Sequence, residues 1–132
     1  MNFTEIAKKQ IEKDNGFIKS NNYKIIKVEE NYCELEGVLT ETSLNPFGIA
    51  HGGYIFGLAD TAAGIAAMTD GRKAVTINST IDYFNMAKGK ILKAVAKNLK
   101  LGKNISNFEV LIYDDENTLI AKSNINYYHL DK

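Results

Sequence analysis

Excess charge of one sign is absent from this chain: sixteen Lys and Arg side chains balance sixteen Asp and Glu over 132 residues, and Arg72 is the only arginine. Nucleic-acid proteins draw their affinity from clustered positive charge and peripheral membrane proteins from basic amphipathic faces, so neither partner is expected. Cysteine is almost as scarce. Cys33 stands alone and cannot close an intramolecular disulfide, which suits a reducing, cytoplasmic setting. Histidine occurs twice, as His51 and His129, and no C-x-x-C is present, so the usual zinc ligand sets cannot be assembled and neither a metal nor a cofactor is expected. There is no G-x-S-x-G elbow, and no histidine near Cys33 in sequence, which disfavours a Ser or Cys nucleophile. The first residues lack a basic segment followed by an apolar run, so no signal peptide is expected.

A long hydrophobic run is missing too. Residues 52–69, GGYIFGLADTAAGIAAMT, come nearest, but Asp60 interrupts them and Gly and Ala stand where a lipid-facing helix favours Leu, Ile and Phe. A helix apolar nearly all round in a protein with 24% charged residues is a buried one, and its small side chains let a sheet approach closely. With 45% hydrophobic residues, the chain is expected to form one domain over residues 1–132, burying roughly two-thirds of its unfolded surface without a disulfide or metal.

Around that central helix the sequence reads mostly as strands. Phe3, Ile6, Ala7 and Ile11 at helical spacing predict a short N-terminal helix over residues 3–13, ended by KDNG. Residues 23–30 and 32–41 alternate as two strands about a turn at Glu30 and Asn31. Residues 74–84, AVTINSTIDYF, carry the strongest strand pattern, with Val75, Ile77, Ser79, Ile81 and Tyr83 on one face and Thr76, Asn78, Thr80, Asp82 and Phe84 on the other. Further strands are expected at 91–101, 108–114 and 119–130, the last after the acidic turn at Asp114, Asp115 and Glu116. The predicted class is α+β, an antiparallel meander with one helix against it.

The loop over residues 42–53, TSLNPFGIAHGG, contains Pro46, the only proline, and runs directly into the buried helix. Gly52 and Gly53 at a helix start leave amide hydrogens bare of side chains, with the positive end of the helix dipole behind them, a place for an oxygen carrying negative charge. Asp60 is the only charge in the run; burying a carboxylate there costs several kcal/mol unless it has partners or a task. It either bonds a neighbouring loop or performs acid–base chemistry, and an acid in an apolar cleft favours the second. Eight helical residues span about 12 Å, so Asp60 cannot act on an atom held by the glycines of its own helix. If both act on one carbonyl, a twofold dimer with antiparallel helices must bring the glycines of one subunit to the Asp60 of the other.

The run NPFGIAHGGYIFGLADTAAGIAA resembles the N-x-x-G-x-x-H-G-G-x-x-x-x-L-A-D segment of the hotdog-fold acyl-CoA thioesterases, PaaI-like branch, with Asn45, Gly48, His51, Gly52, Gly53, Leu58, Ala59 and Asp60 at matching spacing. The similarity extends through STIDYF (residues 79–84) and KLGKNISNFEVLIYD, and covers about residues 23–130. One departure is Asn85-Met86-Ala87, where the family commonly has Arg-Pro. The resemblance implies a hotdog fold, an antiparallel sheet wrapped around one long helix, and hydrolysis of an acyl-CoA to a free acid and CoA. It implies that the Gly52 N–H polarises the thioester carbonyl and that Asp60 of the opposite subunit attacks it or serves as base for water. Asn45 and His51 would hold the loop, the carbonyl or the water, and Thr76 would assist, with Ser79 on the opposite strand face. Gly48, Gly53 and Tyr54 complete the expected substrate contacts, although Tyr54 and Phe56 have packing as the plain alternative. Self-association is expected as a homodimer with shared sites, dimers pairing into a homotetramer. Lysines 88, 90, 93, 97, 100 and 103 are available to CoA phosphates, with a solvated strand face as the simpler reading. His129 reads as a surface or strand-end residue. A hotdog dehydratase or hydratase, and a non-catalytic acyl-CoA binding protein, are the alternative readings.

Overall fold

A computed structural model describes residues 2–11, 13 and 16–130. Its elements run α1 (Phe3–Ile11), α2 (Phe17–Ser20), β1 (Tyr23–Glu29), β2 (Tyr32–Val38), a 3-10 turn (Glu41–Ser43), α3 (Gly52–Ala67), β3 (Lys73–Tyr83), β4 (Ile91–Leu101), β5 (Ile105–Asp114) and β6 (Leu119–Leu130). The expected end of the N-terminal helix falls partly on residues outside the described ones. The one-turn helix α2 was not anticipated: its four residues are too few to show a period. No helix among the described residues is long and apolar enough to cross a membrane.

The six strands form one antiparallel sheet in the order β1-β2-β4-β5-β6-β3. The expected continuous meander is therefore corrected. Of the four strands after α3, only β4, β5 and β6 follow one another in the sheet; β3 crosses to the far edge beside β6, and the β1–β2 hairpin adds to β4. The physical reason lies in burial. In β4, Leu92, Ala94 and Ala96 are completely buried and need strands on both sides, whereas the Thr, Asn, Ser and Asp side chains of β3 suit an edge. The connection over residues 84–90 makes the crossing under the loop that precedes α3, where the Ala50 N–H donates to the Ala87 carbonyl.

Helix α3 lies against one face of the sheet and touches all six strands. Leu58, Ala59, Ala62, Ala63, Ala66 and Ala67 on it are fully buried, as the even distribution of small apolar residues predicts. The facing core is built from Leu35, Phe108, Val110, Ile112, Ile120 and Ile125, each with no exposed surface. Cys33 sits among them, and burial, then the neighbouring Glu34 charge, pushes its thiol up to about 12.

Strand β3 departs from simple alternation. Thr76 pairs with Tyr127 and Asn78 with Asn126, so Ile77 is the extra residue of a β-bulge. The bulge reverses the phase: Thr76 opposite Tyr127, and Ser79 opposite the buried Ile125, both face the helix. The expectation that Ser79 lies on the other face from Thr76 is thereby corrected, and Val75 and Ile77 are about half exposed at 47% and 49%. His129 does end a strand, yet it is buried, with Nε2 2.6 Å from the buried Ser106 hydroxyl.

Candidate active site

The loop before α3 is built by Asn45. Its side-chain oxygen accepts from the Phe47 N–H at 2.9 Å and the Ile49 N–H at 3.3 Å, and its own N–H donates to the Ile49 carbonyl at 2.8 Å. The reversal requires Gly48 at φ 79°, in the left-handed region where a Cβ is disfavoured. Gly48 donates its N–H to the Asn45 carbonyl at 3.0 Å, so both residues shape the loop.

His51 caps α3. Its Nδ1 accepts from the Gly53 N–H at 2.9 Å, while its carbonyl accepts from Tyr54 and Ile55. An accepting Nδ1 in a neutral ring leaves the hydrogen on Nε2, directed away from the cap. This capping separates the two glycines. The Gly53 amide is taken by its own cap, whereas the Gly52 N–H has no acceptor among the described residues. Of the two amides read as bare, only that of Gly52 is without an acceptor among the described residues. The Gly52 carbonyl is also engaged, accepting from the Tyr83 hydroxyl at 2.8 Å.

Asp60 stands two turns further along α3, partly exposed at a cleft of about 390 Å³. Deep burial was expected, but the helix presents Asp60 toward edge strand β3, where its charge keeps access to water. Its Oδ1 accepts from the Thr76 hydroxyl at 2.8 Å and from the Tyr127 hydroxyl at 2.9 Å; no described residue donates to Oδ2. Burial, then the charge of Asp60, raises the Tyr127 hydroxyl well above its ordinary value, so it is a donor throughout. The cleft also has an apolar lining that includes Ile11 and Ile18 from the N-terminal segment, Ile65 from α3 and Met68 at its C-cap. Such a cleft suits an apolar group carrying one reactive polar centre.

The fold thus brings Thr76 to Asp60, and Asn45, Gly48 and His51 to the helix start. It does not bring those two sets together within one chain, because α3 is continuous between Gly52 and Asp60. Tyr54, expected to contact substrate, packs inward: it is 6% exposed, and its hydroxyl donates to the Asn21 carbonyl at 2.7 Å and lies 3.3 Å from that of Val38. Among the lysines, Lys93 is paired with Glu34 at 3.2 Å. Sequence reasoning missed Tyr127. The signal that would have found it is its register opposite Thr76, which requires the β3–β6 pairing and cannot be read along the chain.

Comparison with known proteins places this geometry in context. Residues 47–121 match the family model described as thioesterase superfamily. An Archaeoglobus fulgidus protein, provisionally named an esterase, is 32% identical over 110 residues, covering 83% of this chain and 71% of that protein. The acyl-coenzyme A thioesterase PaaI of Escherichia coli is 31% identical over 98 residues, covering 74% of this chain and 70% of that protein. The solved structure of E. coli PaaI superposes with a TM-score of 0.93 at 25% identity, covering 98% of this chain and 94% of that one. A hypothetical thioesterase of Streptococcus pneumoniae, solved with coenzyme A, gives a TM-score of 0.80 at 27% identity, covering 84% and 88% of the two chains.

Proposed function

The chain belongs to the thioesterase superfamily, in its PaaI-like hotdog branch, and on that premise we propose that it hydrolyses an acyl-CoA to a carboxylic acid and CoA at a site shared by two subunits. The observations that carry this reading are one amide without an acceptor, Gly52, and one carboxylate, Asp60, whose Oδ1 is occupied and whose Oδ2 takes no donor among the described residues. The thioester oxygen accepts from the Gly52 N–H at the positive end of α3. Oδ2 of Asp60 from the partner subunit takes a proton from water as the water oxygen adds to the carbonyl carbon. The tetrahedral oxyanion is held by the amide and by the helix dipole. Collapse breaks the C–S bond, and the proton passes to the departing sulfur, so thioester and water become acid and thiol. His51 Nε2–H, on the outer side of its cap, is available as a second donor, and Thr76 holds the base. No metal or cofactor enters.

The sharing follows from distance: about 12 Å of helix separates Gly52 from Asp60, against the roughly 3 Å within which both must approach one carbonyl. Two variants test it. Asp60→Asn removes the base. Gly52→Pro removes the amide hydrogen at a position that tolerates proline: Gly52 is the first helical residue, and His51 before it already has φ −65° and ψ 137°. A Cβ there meets the Tyr83 hydroxyl at 3.3 Å, and that end of the half-exposed side chain can shift.

Each variant is expected to lose on the order of 10²-fold or more in thiol release from phenylacetyl-CoA and straight-chain acyl-CoAs. Chains mixed in equal amounts and refolded together should regain about a quarter of wild-type activity, since half the dimers are mixed and each holds one intact site. No recovery, or a fully active monomer, refutes the shared site. Enoyl–hydroxyacyl interconversion in place of thiol release points instead to a hydratase.

A further inference from the structure

An aspartate on a helix surface can rotate about two bonds, and a base that samples several orientations is a poor one. At Asp60 both rotations are restrained from the sheet. Tyr127 comes up from β6 with only 2% of its surface exposed, and its ring stands edge-on to Phe108 with centroids 6.0 Å apart at 82°. Its hydroxyl lies 2.6 Å from the Asp60 backbone carbonyl and 2.9 Å from Oδ1 of the same residue. One hydrogen is thus shared between the backbone and the side chain of a single residue, tying the carboxylate to its own helix. Thr76, paired with Tyr127 across β3 and β6, donates to the same Oδ1 at 2.8 Å. Both described donors converge on one oxygen, and the other is left to the cleft.

Resting on the hydrolytic reading of Asp60, we infer that Tyr127 is a positioning residue that holds the carboxylate so that Oδ2, and not Oδ1, is the reacting oxygen. Packing alone does not account for a tyrosine here. Phenylalanine would fill the same space against Phe108 without burying a hydroxyl, and a buried hydroxyl is tolerated only where it finds an acceptor. The acceptors found are both on Asp60.

The test is a double-mutant cycle on the full chain, following thiol release from phenylacetyl-CoA, with melting temperature as the check on folding. Tyr127→Phe is expected to lower kcat about tenfold with KM within roughly twofold of wild type. In the Asp60→Asn background the same substitution should change kcat by less than about twofold, because the group it positions is gone. Phe108→Leu, which disturbs the ring and spares the hydroxyl, should lower the melting temperature while keeping most of kcat. Wild-type kcat in Tyr127→Phe, an equal loss in both backgrounds, or a matching kcat loss in Phe108→Leu overturns the proposal while Asp60 keeps its role. Full activity of Asp60→Asn refutes the role of Asp60 itself, and the proposal falls with it.

Discussion

Replacing Gly64 with alanine and, separately, Gly57 with alanine makes the same chemical change two turns apart on α3, and the surroundings give the two changes opposite signs. A Cβ at Gly64 would lie 3.6 Å from the Tyr127 hydroxyl, an ordinary contact. There the only large effect is backbone entropy: glycine in a helix interior costs roughly 0.5–1 kcal/mol relative to alanine, so Gly64→Ala should stabilise by about that amount. A Cβ at Gly57 would lie 2.6 Å from the Tyr23 hydroxyl and 3.3 Å from the Phe17 ring.

Tyr23 cannot easily retreat. It is 5% exposed, its ring lies 5.2 Å from that of Tyr54, and its hydroxyl donates to the Tyr54 carbonyl at 2.8 Å. Giving way breaks a hydrogen bond with a net contribution of about 1 kcal/mol and strains a filled core by about 1–3 kcal/mol. Subtracting the same entropic gain leaves Gly57→Ala destabilised by roughly 1–3 kcal/mol. At about 3–5 °C per kcal/mol for a chain of this length, the melting temperatures should move apart by several degrees, one upward and one downward. Thermal melts followed by circular dichroism at matched subunit concentration read this directly. A Gly57→Ala protein as stable as wild type would refute the clash with Tyr23 as a cost that the core cannot relieve.

Two further outcomes follow from buried titratable groups. Burial, then the Arg72 charge, lowers the pKa of His129 below its ordinary 6.5 in spite of the opposing charge of Asp70, so the folded state holds a neutral ring against Ser106. The unfolded chain then binds the proton first on acidification, and this contribution to stability is complete above about pH 6.5 and lost as pH falls below it. His129→Gln keeps a hydrogen-bonding side chain without the titration; its urea stability should fall less than wild type between pH 7 and 5, and identical pH slopes would sink the reasoning. Cys33, with no exposed surface and a thiol pushed up to about 12, should not react with a disulfide reagent in the folded protein and should react fully in urea. Rapid labelling under native conditions would contradict its placement in the core.

Much of the candidate site was legible along the chain because its parts are local. The Gly- and Pro-containing loop, the helix start at Gly52 and the two turns of helix to Asp60 all arise from neighbouring residues, and so does the separation of Gly52 from Asp60 along one helix. What spacing could not show was which amide is free. His51 reads as a loop histidine until its Nδ1 is seen on the Gly53 N–H, a bond set by the side-chain rotamer. The strand bulge at Ile77 is similarly hidden, since period-two alternation in sequence carries no mark of the extra residue that turns Ser79 onto the face of Thr76.

Sequence alone determined that a small-residue helix would be buried against a sheet, that its first turn would offer amide hydrogens, and that Asp60 would interrupt it, because apolar periodicity and helix rise act between residues close in the chain. Tertiary structure alone decided the strand order, the withdrawal of Tyr54 into the core, and the arrival of Tyr127 at Asp60 from 67 residues away. Those depend on which strands find each other and in what register, and that is settled by the packing of the whole core.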